Sequence, residues 1–518
     1  MVTDRYGNRL HESTAEAAEH LDRAVEGLLF FRPDFPDAVK AAVVACPASP
    51  LAQAFAAYLG VLGTEPGDAA RARGRFAAFG AGLDRTSLPP RERMHMEAAE
   101  AWLGGDLLWA SQILEDLVVE CPRDPLALAV GHQLDFFTGD ATRLRDRIGG
   151  ALPAWDEHDP HRGPLLGMYA FGLEESGHYG RAQEAGLAAV EQNAHDIWAM
   201  HAVAHVHEMQ GRFAEGIGFL DARLDHWASG SLLTVHSWWH YALYALEAGD
   251  TATALRIYDA VLHHENSTGF VMELLDAASL LWRLFLDGSD QDARWQALAD
   301  AWAAREDPPF YAFNDVHAVM AFVGAGRLET ADAFVADRTR WLRGRRDGGS
   351  GPTNRVMTGG IGLPVCQALV AFAREDYPAV VELLWPVRRR LHAFGGSHAQ
   401  RDAIQRTLLE ATLRARRDDL ARLLLGERAG LSPHSPYNWL GRARLADALG
   451  EAGRAAVARD TAAGLAAPAA RMLSGNPHQA YLGAGPECPP RLGQAAHVRQ
   501  GLLQQDSLAT GHLVLYRG

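Results

Sequence analysis

The chain has 518 residues, of which 48% are hydrophobic and 22% are charged, and this balance excludes disordered and collagen-like proteins. Its formal net charge of −15 at pH 7 repels phosphate backbones and anionic lipids, so we expect neither nucleic acid nor a membrane as a partner. Lys40 is the only lysine and follows no glycine-rich loop, which disfavours Schiff-base and phosphate-loop mechanisms.

The cysteines and the N-terminal residues indicate a cellular location. The four cysteines lie far apart and form no Cys-x-x-Cys pair, so neither a zinc knuckle nor a disulfide framework is predicted. The opening residues MVTDRYGNRLHES contain no apolar signal-peptide core, and no run of about 18 apolar residues occurs anywhere in the sequence. We therefore expect a cytoplasmic protein.

A recurring helix–turn–helix unit is the strongest pattern in the sequence. In each unit, a glycine that can end a helix in the left-handed conformation precedes a small residue, which permits close helix packing. The clearest members are Gly177 with Ala182, Gly211 with Gly216, Gly249 with Ala254, and Gly326 with Ala331. With weaker members at Gly139 and Gly288, the turn glycines are 38, 34, 38, 39 and 38 residues apart, which is a helical-repeat period.

This turn pattern resembles the tetratricopeptide repeat, although the units run slightly long. We predict an all-α fold: a tetratricopeptide-like α/α superhelix, or solenoid, of about ten helix pairs over residues 1–473, with a concave or enclosed central groove. We interpret the glycine-rich stretch 343–364 as a loop insertion, either a surface loop or a lid. Residues 474–518 depart from the repeat and are predicted to form an irregular C-terminal tail or cap.

The first helix of each pair faces the concave surface of such an array, so its polar residues are candidate site residues. Counting back from the turn glycines places these residues at similar heights in four successive units. Before Gly211 and Gly249 they are Trp198, His201, His205, Glu208, His236, Trp239 and His240. Before Gly288 and Gly326 they are Asp276, Trp282, Asn314, Asp315 and His317.

Residue type divides these candidates into two roles. Imidazoles and carboxylates can transfer protons near neutrality, which predicts catalytic roles for His201, His205, His240, Asp315 and His317. The predicted substrate-binding residues are Trp198, His236, Trp239, Asp276, Trp282 and Asn314. For any one histidine taken alone, an ordinary buried or surface position is the competing interpretation.

A divalent metal is possible but not required. His201 with His205 and His236 with His240 form two i, i+4 pairs on adjacent helices, and Glu208 is a nearby carboxylate. The His-Glu-x-x-His pattern of metalloproteases is absent, and buried histidine pairs also form acid–base networks.

A further candidate group follows Gly395 in the sequence GSHAQRD. Ser397 is predicted to cap a helix, which places His398, Gln400 and Arg401 in its first turn. We predict that these three residues bind substrate, with Arg401 as an anion anchor. The competing interpretation is an ordinary helix start with an internal Arg–Asp pair.

Several stretches resemble the tetratricopeptide repeat protein 38 family. They are HDIWAMHAVAHVHEMQGR at 195–212, HSWWHYALYALEAGD at 236–250, DAASLLWRLFLDG at 276–288, FNDVHAVMAF at 313–322 and GSHAQRD at 396–402. The resemblance implies a tetratricopeptide-like helical fold in the cytoplasm. It implies no activity and no catalytic residues.

Two functions remain open at this point. In the first, a pocket lined by His, Asp and Trp binds a small polar molecule and uses histidine acid–base chemistry. In the second, the protein is an interaction scaffold whose groove binds a peptide or a helix of a partner protein. Closure of the unit at residue 398 over the histidines favours the pocket, whereas an open groove favours the scaffold.

Overall fold

A computed structural model describes residues 2–305, 307–344, 351–475 and 478–483. Within these ranges the protein is almost entirely helical, as predicted. The exception is a two-stranded antiparallel ribbon at the N-terminus, in which β1 (Val2–Thr3) pairs with β2 (Arg9–Leu10).

Consecutive helices pack in pairs along the chain. The first six pairs are α1 (Ala15–Leu29) with α2 (Phe35–Ala45), α3 (Pro50–Leu62) with α4 (Pro66–Gly80), α5 (Pro90–Leu103) with α6 (Leu107–Glu120), α7 (Pro125–Thr138) with α8 (Ala141–Ala151), α9 (Arg162–Glu175) with α10 (Tyr179–Gln192), and α11 (Ile197–Gln210) with α12 (Phe213–Asp221). The short helix α13 (Leu224–Trp227) follows the sixth pair.

Six further pairs complete the array. They are α14 (Thr234–Glu247) with α15 (Thr251–Ile257), α16 (Val271–Leu286) with α17 (Asp292–Ala303), α18 (Ala312–Gly324) with α19 (Leu328–Arg343), α20 (Pro352–Met357) and α21 (Leu363–Ala373) with α22 (Tyr377–Leu384), α23 (His398–Arg414) with α24 (Asp418–Leu431), and α25 (Pro436–Ala448) with α26 (Ala452–Ser474). One short helix, α27 (His478–Gly483), follows.

The described residues thus form twelve helix pairs, where the glycine spacing predicted about ten. Eight pairs turn at a glycine with positive φ, including all six glycines used to measure the period. The other four turn at a residue with a side chain that nevertheless has positive φ, namely Phe31, Thr64, Glu375 and Arg416. A pattern based on glycine therefore misses these units.

The predicted loop insertion is wrong over most of its length. Residues 345–350 lie outside the described residues, but Pro352–Ala373 is one helical run that includes a π-helical segment at Thr358–Gly362. This run is long and apolar enough to cross a membrane, yet more than half of its most apolar part is buried against neighbouring helices. Its apolar residues are therefore those of a core helix.

Most of the predicted C-terminal tail lies outside the described residues. Within it, α27 returns to the array, where Nδ1 of His478 lies 3.1 Å from the hydroxyl of Tyr241. The last described helix therefore packs on α14.

The superhelix curls far enough for distant units to touch. The Asn314 side-chain amide donates to the Thr64 carbonyl at 3.3 Å, and the Tyr311 hydroxyl donates to the Phe137 carbonyl at 3.0 Å. On another side of the array, the amide of Leu232 donates to the Phe31 carbonyl at 2.9 Å. These bonds join the N-terminal helices to α18 and to the segment before α14, so they enclose the interior.

Candidate functional site

Four histidines converge at the centre of the array. His201 and His205 lie one turn apart on α11, and His236 and His240 lie one turn apart on α14. Because residues spaced by four share a face of a helix, two neighbouring first helices present four imidazoles to each other. The periodicity predicted this arrangement, and the structure places all four rings together.

The rings are in close contact. Their six centroid-to-centroid distances range from 4.3 to 6.5 Å. The Nε2 atoms of His201 and His205 are 3.0 Å apart. One nitrogen from each of the four rings lies within 4.8 Å of the others.

A carboxyl group lies beside the Nδ1 atom of three of the four rings. Nδ1 of His236 is 2.9 Å from Asp276 on α16, and Nδ1 of His240 is 2.6 Å from Glu208 on α11. Nδ1 of His205 is 3.6 Å from Glu174 on α9. Four consecutive first helices therefore contribute to the cluster.

Burial sets the protonation of this cluster. It lowers the pKa of His201, His205 and His240 well below the ordinary value of 6.5, and the neighbouring imidazoles lower it further. Burial also raises the pKa of Glu208 to about 8 and that of Glu174 well above its ordinary 4.5. These three imidazoles are therefore neutral at pH 7, which is the form that accepts a proton or binds a metal.

A cavity of about 1760 Å³ leads to the cluster. Its inner wall includes His201, His205 and His236, and its outer part includes exposed charged residues of α2 and α4 such as Lys40 and Arg71. Aromatic side chains form much of the wall between them: Phe31, Phe136, Phe137, Phe171 and Trp198. The walls are more apolar than the predicted pocket for a small polar molecule.

The unit at residue 398 does close over the histidines. The backbone amide of His398 donates to Glu175 at 2.7 Å, which joins the start of α23 to the end of α9. Ser397 and Gln400 line the cavity beside His201 and His205. The groove is therefore covered at the level of the cluster.

No family model matches the sequence. Among solved structures, the crystal structure of yeast Tom70 is similar at 12% identity, covering 95% of this chain and 98% of its own, with a TM-score of 0.33. The structure of Naa15/Naa10 bound to HypK-THB is similar at 13% identity, covering 96% of this chain and 88% of its own, with a TM-score of 0.20. Because both TM-scores are low, neither structure is used to assign the fold, and the assignment depends on the twelve helix pairs. The chain is a tetratricopeptide-like helical solenoid.

Three predicted site residues on α18 do not join the cluster. Asp315 forms a buried ion pair with Arg338 at 3.0 Å, and Asn314 bonds to Thr64 as described above. Nδ1 of His317 lies 2.8 Å from the carbonyl of Phe313 in its own helix. The catalytic roles predicted for Asp315 and His317 and the binding role predicted for Asn314 are therefore wrong for this cavity, because the superhelix has curved away from the cluster at α18.

The three predicted tryptophan walls occupy different positions. Trp198 lines the cavity and stacks on Phe31, with ring centroids 4.9 Å apart. Trp239 stacks on the far side of His236, and Trp282 is fully buried with its indole donating to Thr407 at 2.8 Å. Trp198 therefore remains a candidate wall, whereas Trp239 packs behind His236 and Trp282 is a core residue that packs on Phe285 and Phe372.

Arg401 is not available as an anion anchor. Its guanidinium pairs with Glu175 at 3.0 Å and also donates to the carbonyls of Gly395 and Gly396. Ser397 caps α23 as predicted, and Gln400 completes a capping box with it. The competing interpretation, a helix start with internal pairing, describes Arg401 better, although its partner is Glu175 instead of Asp402.

Glu174 is the residue that sequence reasoning missed. It is fully buried, and neither carboxyl oxygen has a hydrogen-bond partner among the described residues. A signal was present, because Glu174 lies three residues before Gly177 just as Glu208 lies three residues before Gly211. The same count from the turn glycine therefore finds Glu174 and Glu208, two of the three carboxyl groups beside the cluster.

Proposed function

We propose that the protein binds a small amphipathic molecule in the interior cavity and acts on its polar end at the four histidines. The observation that carries this proposal is the cavity of about 1760 Å³ with apolar walls that ends on three imidazoles. Ligand sites in proteins combine apolar walls with a few convergent polar groups in this way. The apolar walls favour an amphipathic ligand over a small polar one.

The size of the cavity also constrains the ligand. Typical pockets for drug-sized molecules have volumes of about 300–1,000 Å³, so this cavity has room for an elongated or bulky molecule. Its outer part carries exposed charges of both signs, including Asp37, Lys40 and Arg71. A ligand with an apolar body fits the inner walls, while one end remains near these charges.

His236 is the ring best placed to meet the ligand. Its side chain is 17% exposed, whereas those of His205 and His240 are fully buried. Asp276 holds its Nδ1 and so orients the ring toward the cavity. A carboxylate-oriented imidazole can transfer a proton or bind a metal, and both chemistries need a substrate that reaches it.

The competing function is a scaffold that binds a peptide or helix in an open groove. The bonds of Asn314 to Thr64, Tyr311 to Phe137 and His398 to Glu175 cover the groove. A peptide chain crossing the centre has to break these contacts, whereas a small molecule entering the cavity leaves them intact. The closed groove therefore favours the pocket.

A blocked cavity tests the proposal. Val235 lines the cavity one residue from His236, and Val119 is 80% exposed on the outer surface of α6. Val235→Trp should fill the inner cavity, and Val119→Trp is the matched control. Small molecules released from the denatured proteins are compared by mass spectrometry, and binding of the amphipathic dye anilinonaphthalene sulfonate is titrated.

We expect the wild type and Val119→Trp to carry the same small molecule and to bind the dye, and Val235→Trp to lose both. Circular dichroism and thermal unfolding check that each variant is folded, and Met272→Trp, at another lining position, replaces Val235→Trp if that variant unfolds. Equal dye binding in all variants, with no co-purified molecule, contradicts the pocket. Peptide binding that the blocked variant retains favours the scaffold.

We further infer that the chain is a cytoplasmic member of the tetratricopeptide repeat protein 38 family. The support is the motif resemblance of the stretches 195–212, 236–250, 276–288, 313–322 and 396–402, together with the sequence features that predict this location. The location of a fluorescent fusion protein in cells tests the inferred cytoplasmic location.

A further inference from the structure

We propose that His201, His205, His236 and His240 together bind one divalent transition-metal ion through their Nε2 atoms. This inference deepens the proposed function, because the ion lies at the inner end of the cavity. Three further features of the cluster support a metal ion: the spacing of the ring nitrogens, the carboxyl groups beside the rings and the unpartnered ring nitrogen inside the cluster.

The nitrogen geometry is close to that of a metal centre. A zinc–nitrogen distance of about 2.0–2.1 Å places the nitrogens of a tetrahedral site about 3.3 Å apart. The Nε2 atoms of His201 and His205 are already 3.0 Å apart. Since one nitrogen of each ring lies within 4.8 Å of the others, no pair has to close by more than about 1.5 Å to reach the tetrahedral value.

The carboxyl groups orient the rings as they do around known metal ions. Metal-binding histidines almost always hydrogen-bond through the other ring nitrogen to a carboxylate or carbonyl. Here Asp276 holds Nδ1 of His236 at 2.9 Å, and Glu208 holds Nδ1 of His240 at 2.6 Å. Each of these contacts occupies Nδ1 and leaves Nε2 as the ring nitrogen that can bind a metal ion.

A hydrogen-bond network alone explains the cluster less well. A bond between the Nε2 atoms of His201 and His205 satisfies one contact. It leaves Nε2 of His240 buried and without a hydrogen-bond partner among the described residues. Such an unpartnered buried nitrogen costs about 1–3 kcal/mol of desolvation free energy. One cation at the centre is a partner for all four rings.

The ligand type selects the class of metal. Four imidazoles suit Zn²⁺, Co²⁺, Ni²⁺, Cu²⁺ or Fe²⁺, whereas Ca²⁺ and Mg²⁺ prefer oxygen ligands. A second group of possible ligands, Glu174, Glu175 and His398, lies nearby, but the guanidinium of Arg401 already neutralises Glu175. We therefore place a single ion, among the four histidines.

Reconstitution with Zn²⁺ and Co²⁺ tests the site. The full chain is purified without a histidine tag, its metal content is measured by elemental mass spectrometry, and the chelated protein is then titrated with each ion. We expect one equivalent per chain and, for Co²⁺, visible absorption bands typical of imidazole nitrogen ligands. The double variant His201→Gln/His240→Gln should lose both signals.

His317→Gln is the matched control, because His317 is equally buried on a first helix but lies outside the cluster. It should bind one equivalent as the wild type does. Asp276→Asn keeps all four ligands and should weaken Zn²⁺ binding about 10–100-fold. This variant also keeps the test decisive if the double variant does not fold.

Two results would overturn the proposal. One is wild-type protein that neither retains nor takes up a stoichiometric ion. The other is a folded double variant that binds Zn²⁺ as tightly as the wild type. Because the dye and blocked-cavity measurements need no metal, failure of the metal site can be told apart from failure of the ligand pocket.

Discussion

Arg401 lies 3.0 Å from Glu175, and this buried ion pair joins the first turn of α23 to the last turn of α9. Both side chains are about 4 to 5% exposed. Two units that are more than 200 residues apart in the sequence are therefore held together directly above the histidine cluster.

Arg401→Met should destabilise the protein because it leaves Glu175 buried without its cation. Breaking one side of a buried pair typically costs about 3–5 kcal/mol of unfolding free energy, whereas replacing both partners with apolar residues costs much less. Urea unfolding of Arg401→Met, Glu175→Met and the double variant measures this. If Arg401 instead anchors an anionic ligand, the single variant keeps its stability and loses ligand affinity.

Counting back from the turn glycine predicted where each site residue lies along its own helix. It did not predict toward which part of the superhelix that residue points. Histidines 201, 205, 236 and 240 meet because α11 and α14 are neighbours, so little curvature accumulates between them. His317 stands nine residues before its turn glycine, as His240 does, yet it bonds within its own helix. Between α14 and α18 the superhelix has rotated, and a count within one repeat contains no information about that rotation.

The sequence pattern also could not predict which residues would close the superhelix on itself. The contact between Asn314 and Thr64 joins residues 250 positions apart, and one of its acceptors is the backbone carbonyl of Thr64, the non-glycine residue that has positive φ in its turn. Any residue type supplies a backbone carbonyl, so the sequence carries no signal for it. Asn314 is buried, and its partner is the protein itself and not a substrate.

Asp124 lies in a buried ion-pair network whose contribution to stability should depend on pH. Its carboxylate accepts from Arg91 at 2.6 Å and lies 3.0 Å from Nε2 of His95. Burial by itself raises the pKa of this carboxyl, but the charges of Arg91 and His95 outweigh burial and hold its pKa well below the ordinary 3.8. The folded state therefore favours the ionised form of Asp124.

This pKa shift fixes the direction of the pH effect. The stabilisation from Asp124 is complete above its unfolded pKa of 3.8 and is lost as the pH falls below that value toward the folded pKa. Asp124→Asn should cost about 3–5 kcal/mol of unfolding free energy at neutral pH, and the gap to wild type should shrink below about pH 4. Urea unfolding from neutral pH to about pH 3 measures both, and a gap that stays constant on acidification contradicts this account.

Gly395 closes the array at a point where no side chain fits. Its φ is +88°, and a Cβ atom there would overlap the Tyr311 hydroxyl and the Phe137 carbonyl, the two groups that hydrogen-bond across the interior. Gly288 has a similar φ of +78° at the turn between α16 and α17, with open space around it. Gly288→Ala therefore measures backbone strain alone, whereas Gly395→Ala measures backbone strain together with steric overlap.

Gly288→Ala should cost about 1–2 kcal/mol of unfolding free energy from the left-handed backbone alone. Gly395→Ala should cost about 2–5 kcal/mol, because its backbone, with ψ −162°, lies in a region that is essentially limited to glycine and the overlap adds to that strain. The overlap with the hydroxyl disappears when Tyr311 is changed to Phe, so Gly395→Ala should be less costly in a Tyr311→Phe background than in the wild type. Urea unfolding of the four variants measures these differences, and equal costs for the two glycines would show that the closure at Gly395 is loose enough to take a methyl group.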